Sequence, residues 1–245
     1  MNQSLQSKLI RILKKLRNLP RGWHSMKDFL EEARAMRISY SQFGEDLVVR
    51  NHFLNFDNSI GLFIDVGAFH PFKLSNTMLL SKLGWRGINI DCDPDKIATF
   101  EKIRPDDQNI CAAVAESSRE MIWLQYPEST TDRLAELGEN ELLSACGEKP
   151  IKVTPVKVMT LTQILDQSKF RDKHFHYLNI DCEGHDMAVL KGLDFARYAP
   201  DLITVEALTK DAQAELTAYL QPIGYVLTDI VSLTMFFKKG NPRVM

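Results

Sequence analysis

The sequence predicts an α/β fold of the doubly wound kind, and three observations carry that reading. Five short apolar runs, 61–66, 87–91, 109–114, 175–181 and 202–206, are spread along the chain. Helical stretches lie between most of them, at 75–83, 94–103, 160–167, 185–197 and 211–221. The runs are continuous where a half-exposed strand would alternate, so they read as strands buried on both faces of a parallel sheet. Two last strands, Gly224-Tyr225-Val226-Leu227 and Thr234-Met235-Phe236-Phe237, sit close enough to form an antiparallel hairpin at one edge.

Taken in order, the chain begins with a basic segment. Leu5, Leu9, Ile12, Leu13 and Leu16 recur at helical spacing, and Pro20 and Gly22 end the pattern. Residues 25–36 and 41–54 also read as helix. After the third strand, 115–158 is irregular and reads as an insertion with a strand of its own at 120–125. Its Ser129, Thr130, Thr131 and Asp132 are candidates for a lid over the strand ends.

The charge is uneven. Residues 1–27 hold seven cations and no acid, while the remainder carries −9, for a net −2 over 245 residues. An acidic body disfavours nucleic acid as a partner. The basic helix suits an anionic membrane surface, or packing on the body or on a second subunit. A composition of 44% apolar and 25% charged residues excludes a disordered chain. The longest apolar stretch, Ile223 to Phe237, is interrupted by Asp229 and falls short of the ~18 residues of a membrane span. Arg11, Lys14 and Lys15 break up any secretory signal core. Cys92, Cys111, Cys146 and Cys182 have no metal-type spacing and suit free thiols in a reducing cytoplasm.

Four strands end in a carboxylate: Asp65, Asp91, Asp181 and Glu206. In an open α/β sheet the ligand binds at the carboxyl ends of the strands, where strand order reverses. The first turn, Asp65-Val66-Gly67-Ala68-Phe69-His70-Pro71, has one of the three glycines of a dinucleotide fingerprint. Phe69 and Phe72 stand where a pyrophosphate needs the others. Asp91, at the second strand end, is placed to accept hydrogen bonds from a ribose. Ribose recognition without pyrophosphate recognition points to S-adenosylmethionine.

These pieces resemble the FkbM family of S-adenosylmethionine-dependent methyltransferases from about Tyr40 to Phe237. The resemblance rests on Tyr40-Ser41-Gln42-Phe43-Gly44-Glu45-Asp46, the Asp65 turn, Ser75-Asn76-Thr77, and Gly84 to Asp91. Further pieces are Thr160-Leu161, Asn179-Ile180-Asp181-Cys182-Glu183-Gly184-His185-Asp186 and Val189-Leu190-Lys191-Gly192. It implies a class I methyltransferase (Rossmann-like) seven-stranded sheet, mostly parallel with a C-terminal antiparallel hairpin, and O-methylation of sugars or secondary metabolites. The expected domains are a basic helical extension, 1–36, and a methyltransferase domain, 37–245. Asp65, Gly67, Ala68, Ser75, Asn76 and Asp91 are the expected cofactor contacts, and the resemblance adds Gln42. Ser75 and Asn76 have a second role as helix N-caps.

Methyl transfer to a hydroxyl needs a proton acceptor. His185, whose ordinary pKa is near neutrality, is the first candidate. Asp181 and Glu183 are the others, if burial raises their pKa. These three do not form a recognised ligand set, so no metal is expected. The expected partner is a small-molecule or glycan acceptor. The alternatives are a nucleotide- or NAD-dependent sugar-modifying Rossmann enzyme and a non-catalytic cofactor-binding module.

Overall fold

A computed structural model describes residues 26–54, 60–127, 132–136 and 147–240. The basic helix expected at 4–18, Ser129 to Thr131 and Cys146 lie outside these. The chain divides into two units, Met1–Ile38 and Ser39–Met245. Of the first, helix α1 (Met26–Ala35) is described. The Arg37 guanidinium closes it by donating to the carbonyls of Ala35 and Met36, which a helix end leaves unpaired.

The second unit is built on a mixed seven-stranded sheet in the order β10-β11-β9-β8-β1-β2-β3. Its strands are β1 (Leu62–Val66), β2 (Arg86–Asp91), β3 (Gln108–Cys111), β8 (Tyr177–Ile180), β9 (Leu202–Glu206), β10 (Tyr225–Val231) and β11 (Thr234–Lys239). β3, β2, β1, β8 and β9 pair parallel, while β11 runs antiparallel to both β9 and β10. Strand order reverses between β1 and β8, and a crevice opens there.

Both faces of the sheet are covered, which is why its strands are apolar throughout. On one face Ile64, Ile88, Leu178 and Ile203 pack with residues of α5 (Leu161–Asp166), α6 (Asp186–Lys191) and α7 (Lys210–Leu220). On the other, Phe63, Tyr177, Leu202 and Phe236 pack with Val49 of α2 (Glu45–His52) and Leu80 of α3 (Met78–Lys82). Each such side chain contributes about 1.5–3 kcal/mol by leaving water.

Three elements depart from the sequence pattern. The expected helix 41–54 starts only at Glu45, because the Asp46 carboxylate binds the Tyr40 N–H and the Ser39 and Ser41 hydroxyls, holding 39–41 in a turn. The run 109–114 is two strands: past Ala112 the chain leaves β2, and β4 (Ala113–Val114) pairs with β7 (Lys152–Met159). β7 belongs to a second sheet, β4-β7-β5-β6, with β5 (Glu120–Gln125) and β6 (Arg133–Ala135). The helix expected at 185–197 stops at Lys191. A Cβ on Gly192 would lie 2.4 Å from the Ala115 carbonyl oxygen, so the backbone passes tightly there.

Candidate active site

A cleft lies at the carboxyl ends of β1, β2 and β8. Its floor is the turn after β1. Gly67 has φ +76°, and a Cβ there would lie 1.8 Å from the Asp181 carbonyl oxygen. Glycine is therefore demanded first by the meeting of two strand-end turns. The N–H groups of Gly67 and Ala68 both donate to the Ile90 carbonyl, which fastens the turn to β2. Phe69 follows at φ +53°, a conformation costly for a bulky side chain.

Asp91 holds that turn. One carboxylate oxygen accepts the Phe69 N–H at 2.9 Å and the other the Asp93 N–H at 2.9 Å. Each oxygen retains acceptor capacity toward the cleft. Burial pushes the Asp91 carboxyl above its ordinary value, against the pull of Lys96. Lys96 stands on α4 (Pro94–Ile103), which Asp93 caps. Its ammonium lies 4.9 Å from the Phe69 ring centre and 3.9 Å from Asp132. Ile90, Ala112, Val114 and Trp123 supply the apolar lining of this side.

Asp65 sits deeper. Its oxygens accept from the Thr77 hydroxyl (2.6 Å) and the Asn179 amide (2.9 Å). Asn179 in turn accepts from Asn76 and from Thr204. The Ser75 hydroxyl accepts the Met78 N–H, but the helix begins only at Met78 with Thr77 at its N-cap, so Ser75 and Asn76 precede the cap expected of them. Gln42, Asp65, Gly67, Ala68, Ser75, Asn76 and Asp91 all line the one cleft.

Asp181, Glu183 and Glu206 converge on its far side, with carboxylate oxygens within 4.8 Å of one another. Oxygens so close suit either an oxygen-binding cation or shared protons. Burial raises the proton affinity of all three, which favours shared protons while the group is enclosed. Burial, then neighbouring acids, pushes Glu183 and Glu206 up to about 7 and Asp181 well above the carboxylate range. Asp186, buried behind them, is pushed up to about 6 although it accepts the Cys182 and Gly184 N–H groups. Burial raises the Cys92 and Cys182 thiols, helped by Asp91 at Cys92 and by Asp186 and Asp181 at Cys182, so they stay protonated. Cys92, Cys111 and Cys182 are all free.

His185 is not among the described residues that line the cleft. Its N–H donates to the Cys182 carbonyl, and its ring lies in the field of Arg119, Glu136, Arg133 and Glu116. A second group with metal-like spacing, His174, His176 and Asp201, lies at the opposite end of the sheet. There His176 Nδ1 already accepts the Leu62 N–H at 3.0 Å. The neutral ring proton is then on Nε2, leaving no lone pair for a metal.

Sequence reasoning passed over Lys96 and Trp123; it read Glu206 only as one of four strand-end carboxylates and Asn179 only as part of a family motif. One signal was present. Asn-Ile-Asp-Cys occurs at 89–92 and again at 179–182. Each asparagine is buried and donates to a carboxylate, Asn89 to Asp107 and Asn179 to Asp65.

No curated protein matches the chain. Among solved structures it resembles a methyltransferase FkbM from Methylobacillus flagellatus, with TM-score 0.52 and 16% identity over 85% of this chain. The match spans 50% of that protein's length. A Pyrococcus horikoshii protein proposed to be an RNA methyltransferase matches 96% of this chain and all of its own, at 12% identity and TM-score 0.41. None of the described helices is long and apolar enough to cross a membrane. A model of the methyltransferase FkbM domain matches residues 65–227, more than half of the chain, and the protein belongs to that family of methyltransferases.

Proposed function

We propose that the cleft binds S-adenosylmethionine and that the protein transfers the cofactor's methyl group to a hydroxyl of a sugar or glycan. The observation that carries this reading is Asp91, which lines the cleft beside the Gly67-Ala68 turn with acceptor capacity left on both oxygens. That is the chemistry a ribose diol needs. The apolar side formed by Ile90, Ala112, Val114 and Trp123 suits an adenine. Phe69 and the neighbouring Phe72 leave no glycine-lined path for a pyrophosphate. The residues present therefore fit a nucleoside cofactor without phosphates. Gln42, Ser75 and Asn76 would hold its amino-acid end, with Asp65 acting behind them through Asn179.

When bound, the cofactor supplies an electrophilic methyl group on a cationic sulfur. The acid group of Asp181, Glu183 and Glu206 can lose a proton beside that positive charge and disfavours anionic acceptors. A neutral polyhydroxyl compound, able to donate to carboxylates, is the acceptor class they suit. His185 is not among the described residues that line the cleft, so we take the proton acceptor from the carboxylates that do. In this reading the protein works in the cytoplasm, and the seven cations of residues 1–27 bring it to an anionic membrane surface.

The test is incubation with methyl-labelled S-adenosylmethionine and a mixture of neutral saccharides. Label should appear in a base-stable methyl ether. Recovery in a base-labile ester or on an amine would overturn the hydroxyl reading. Equal sedimentation with anionic liposomes of the full chain and of a form lacking residues 1–27 would remove the membrane role.

A further inference from the structure

Glu206 closes β9, pairs across the ladder with Thr234 of β11, and lines the cleft. Its carboxylate oxygens lie within 4.8 Å of those of Asp181 and Glu183, and carboxylates this close do not all stay ionised. Burial and the surrounding acids push Asp181 well above its ordinary value and Glu206 up to about 7, so Asp181 holds its proton the more firmly and Glu206 is the readier acceptor. Glu206 Oε2 is then left enclosed, with no hydrogen-bond partner among the described residues. An enclosed carboxylate oxygen without a donor is costly, and it calls for one from a ligand.

Resting on the methyl-transfer reading above, we propose that Glu206 is the catalytic proton acceptor, with Oε2 taking the hydrogen bond of the incoming hydroxyl and Asp181 positioning the carboxylate from its other side. As the hydroxyl oxygen bonds to the methyl carbon, the carbon–sulfur bond breaks and its electron pair stays on sulfur, giving neutral S-adenosylhomocysteine. The hydroxyl proton passes to Glu206. One positive charge is lost from the sulfonium and one negative charge from the carboxylate, so the step balances.

The groups that set the proton affinity of Glu206 come from every side of it. Asp181 follows β8, Glu183 stands in the next turn, and Asp186 lies on α6. Asp65 on β1 adds to the charge felt by Asp181, while Lys96 on α4 and Asp132 before β6 act on Glu183 with opposite signs. Acids predominate, so at neutral pH the group holds protons. A cationic sulfur placed beside it drives one off, and a neutral thioether does not. The proton count of the group therefore responds to the methyl donor more than to its product.

The first measurement needs no acceptor. Calorimetry of S-adenosylmethionine and of S-adenosylhomocysteine binding, in buffers of different ionisation enthalpy at pH 7, counts the protons released by each. S-adenosylmethionine should release more, and Glu206→Gln should abolish the excess. Equal release by the two ligands in the wild-type protein would overturn the proposal.

The second is transfer to the saccharide mixture. Glu206→Gln should keep its affinity for S-adenosylhomocysteine and lose about 100-fold or more in rate. Asp181→Asn should shift the pH profile and retain more activity. Transfer by Glu206→Gln within fivefold of wild type would sink the assignment and leave methyl transfer standing. Absence of any binding of S-adenosylmethionine by the wild-type protein would instead defeat the underlying reading.

Discussion

Asp107→Ala is the substitution whose cost the structure defines most closely. Arg104 and Asp107 are 4% and 5% exposed, and Arg104 Nε donates to Asp107 Oδ2 at 2.7 Å. Asp107 also accepts the Gly87 N–H of β2 (3.1 Å) and the Asn89 amide (3.2 Å). The guanidinium is centred 5.0 Å from the Phe63 ring and 5.4 Å from the Phe100 ring. Its second contact, to the Thr77 hydroxyl, leads on to Asp65. Removing the carboxylate leaves a cation inside the protein and a buried backbone donor without a partner. Breaking a buried pair from one side costs about 3–5 kcal/mol, against a total stability of about 5–15 kcal/mol. The melting temperature should fall by roughly 2–4 °C per kcal/mol for a chain of this size.

Arg104→Met should cost less, because Asp107 keeps two donors. The double variant Arg104→Met/Asp107→Leu should recover at least half of the single loss, since no charge is then stranded. Urea unfolding followed by circular dichroism reads all three. A loss below about 1 kcal/mol for Asp107→Ala, at unchanged denaturant slope, would refute the reasoning that a stranded guanidinium and an unpaired Gly87 N–H set the cost.

Two further outcomes follow from the geometry. Gly67→Ala puts a methyl group where the Asp181 carbonyl stands and adds left-handed strain, so it should destabilise by about 3 kcal/mol or more and abolish S-adenosylhomocysteine binding; a fully stable, binding-competent variant in titration would contradict the packing described. Burial, then His174, depresses the His176 pKa, and its Nδ1 accepts the Leu62 N–H. Its stabilising contribution is present above pH 6.5 and is lost as pH falls through its lower folded value. Wild-type stability should therefore fall more steeply between pH 7 and pH 5 than that of His176→Asn, and parallel unfolding curves would exclude the role.

Much of the sheet is legible from composition alone, because a strand buried on both faces must be apolar along its whole length. β1, β2, β8 and β9 meet that condition. The division of 109–114 does not show in the sequence, since it depends on β7, more than forty residues downstream, capturing Ala113 and Val114. The end of α6 is hidden for a similar reason: Gly192 meets Ala115 only in the folded chain.

At the site, residues acting through backbone turns were readable. Gly67, Asp91, Ser75 and Asn76 lie together as their spacing suggests. Side-chain direction was not readable. His185 follows Glu183 by two residues, yet across the left-handed turn at Glu183 and Gly184, φ +50° and +89°, Glu183 lines the cleft and His185 is not among its described lining residues. Glu206 comes from another strand, and nothing local to it announces that its carboxylate would meet those of Asp181 and Glu183.

The central claim is that this cleft recognises a phosphate-free nucleoside cofactor through Asp91. Isothermal titration of S-adenosylhomocysteine and of NAD into the wild-type protein and into Asp91→Ala tests it most directly. S-adenosylhomocysteine should bind the wild type with a dissociation constant on the order of micromolar. Asp91→Ala should lose that binding, and NAD should bind neither form. Binding of NAD without S-adenosylhomocysteine, or undiminished affinity in the variant, would contradict the account.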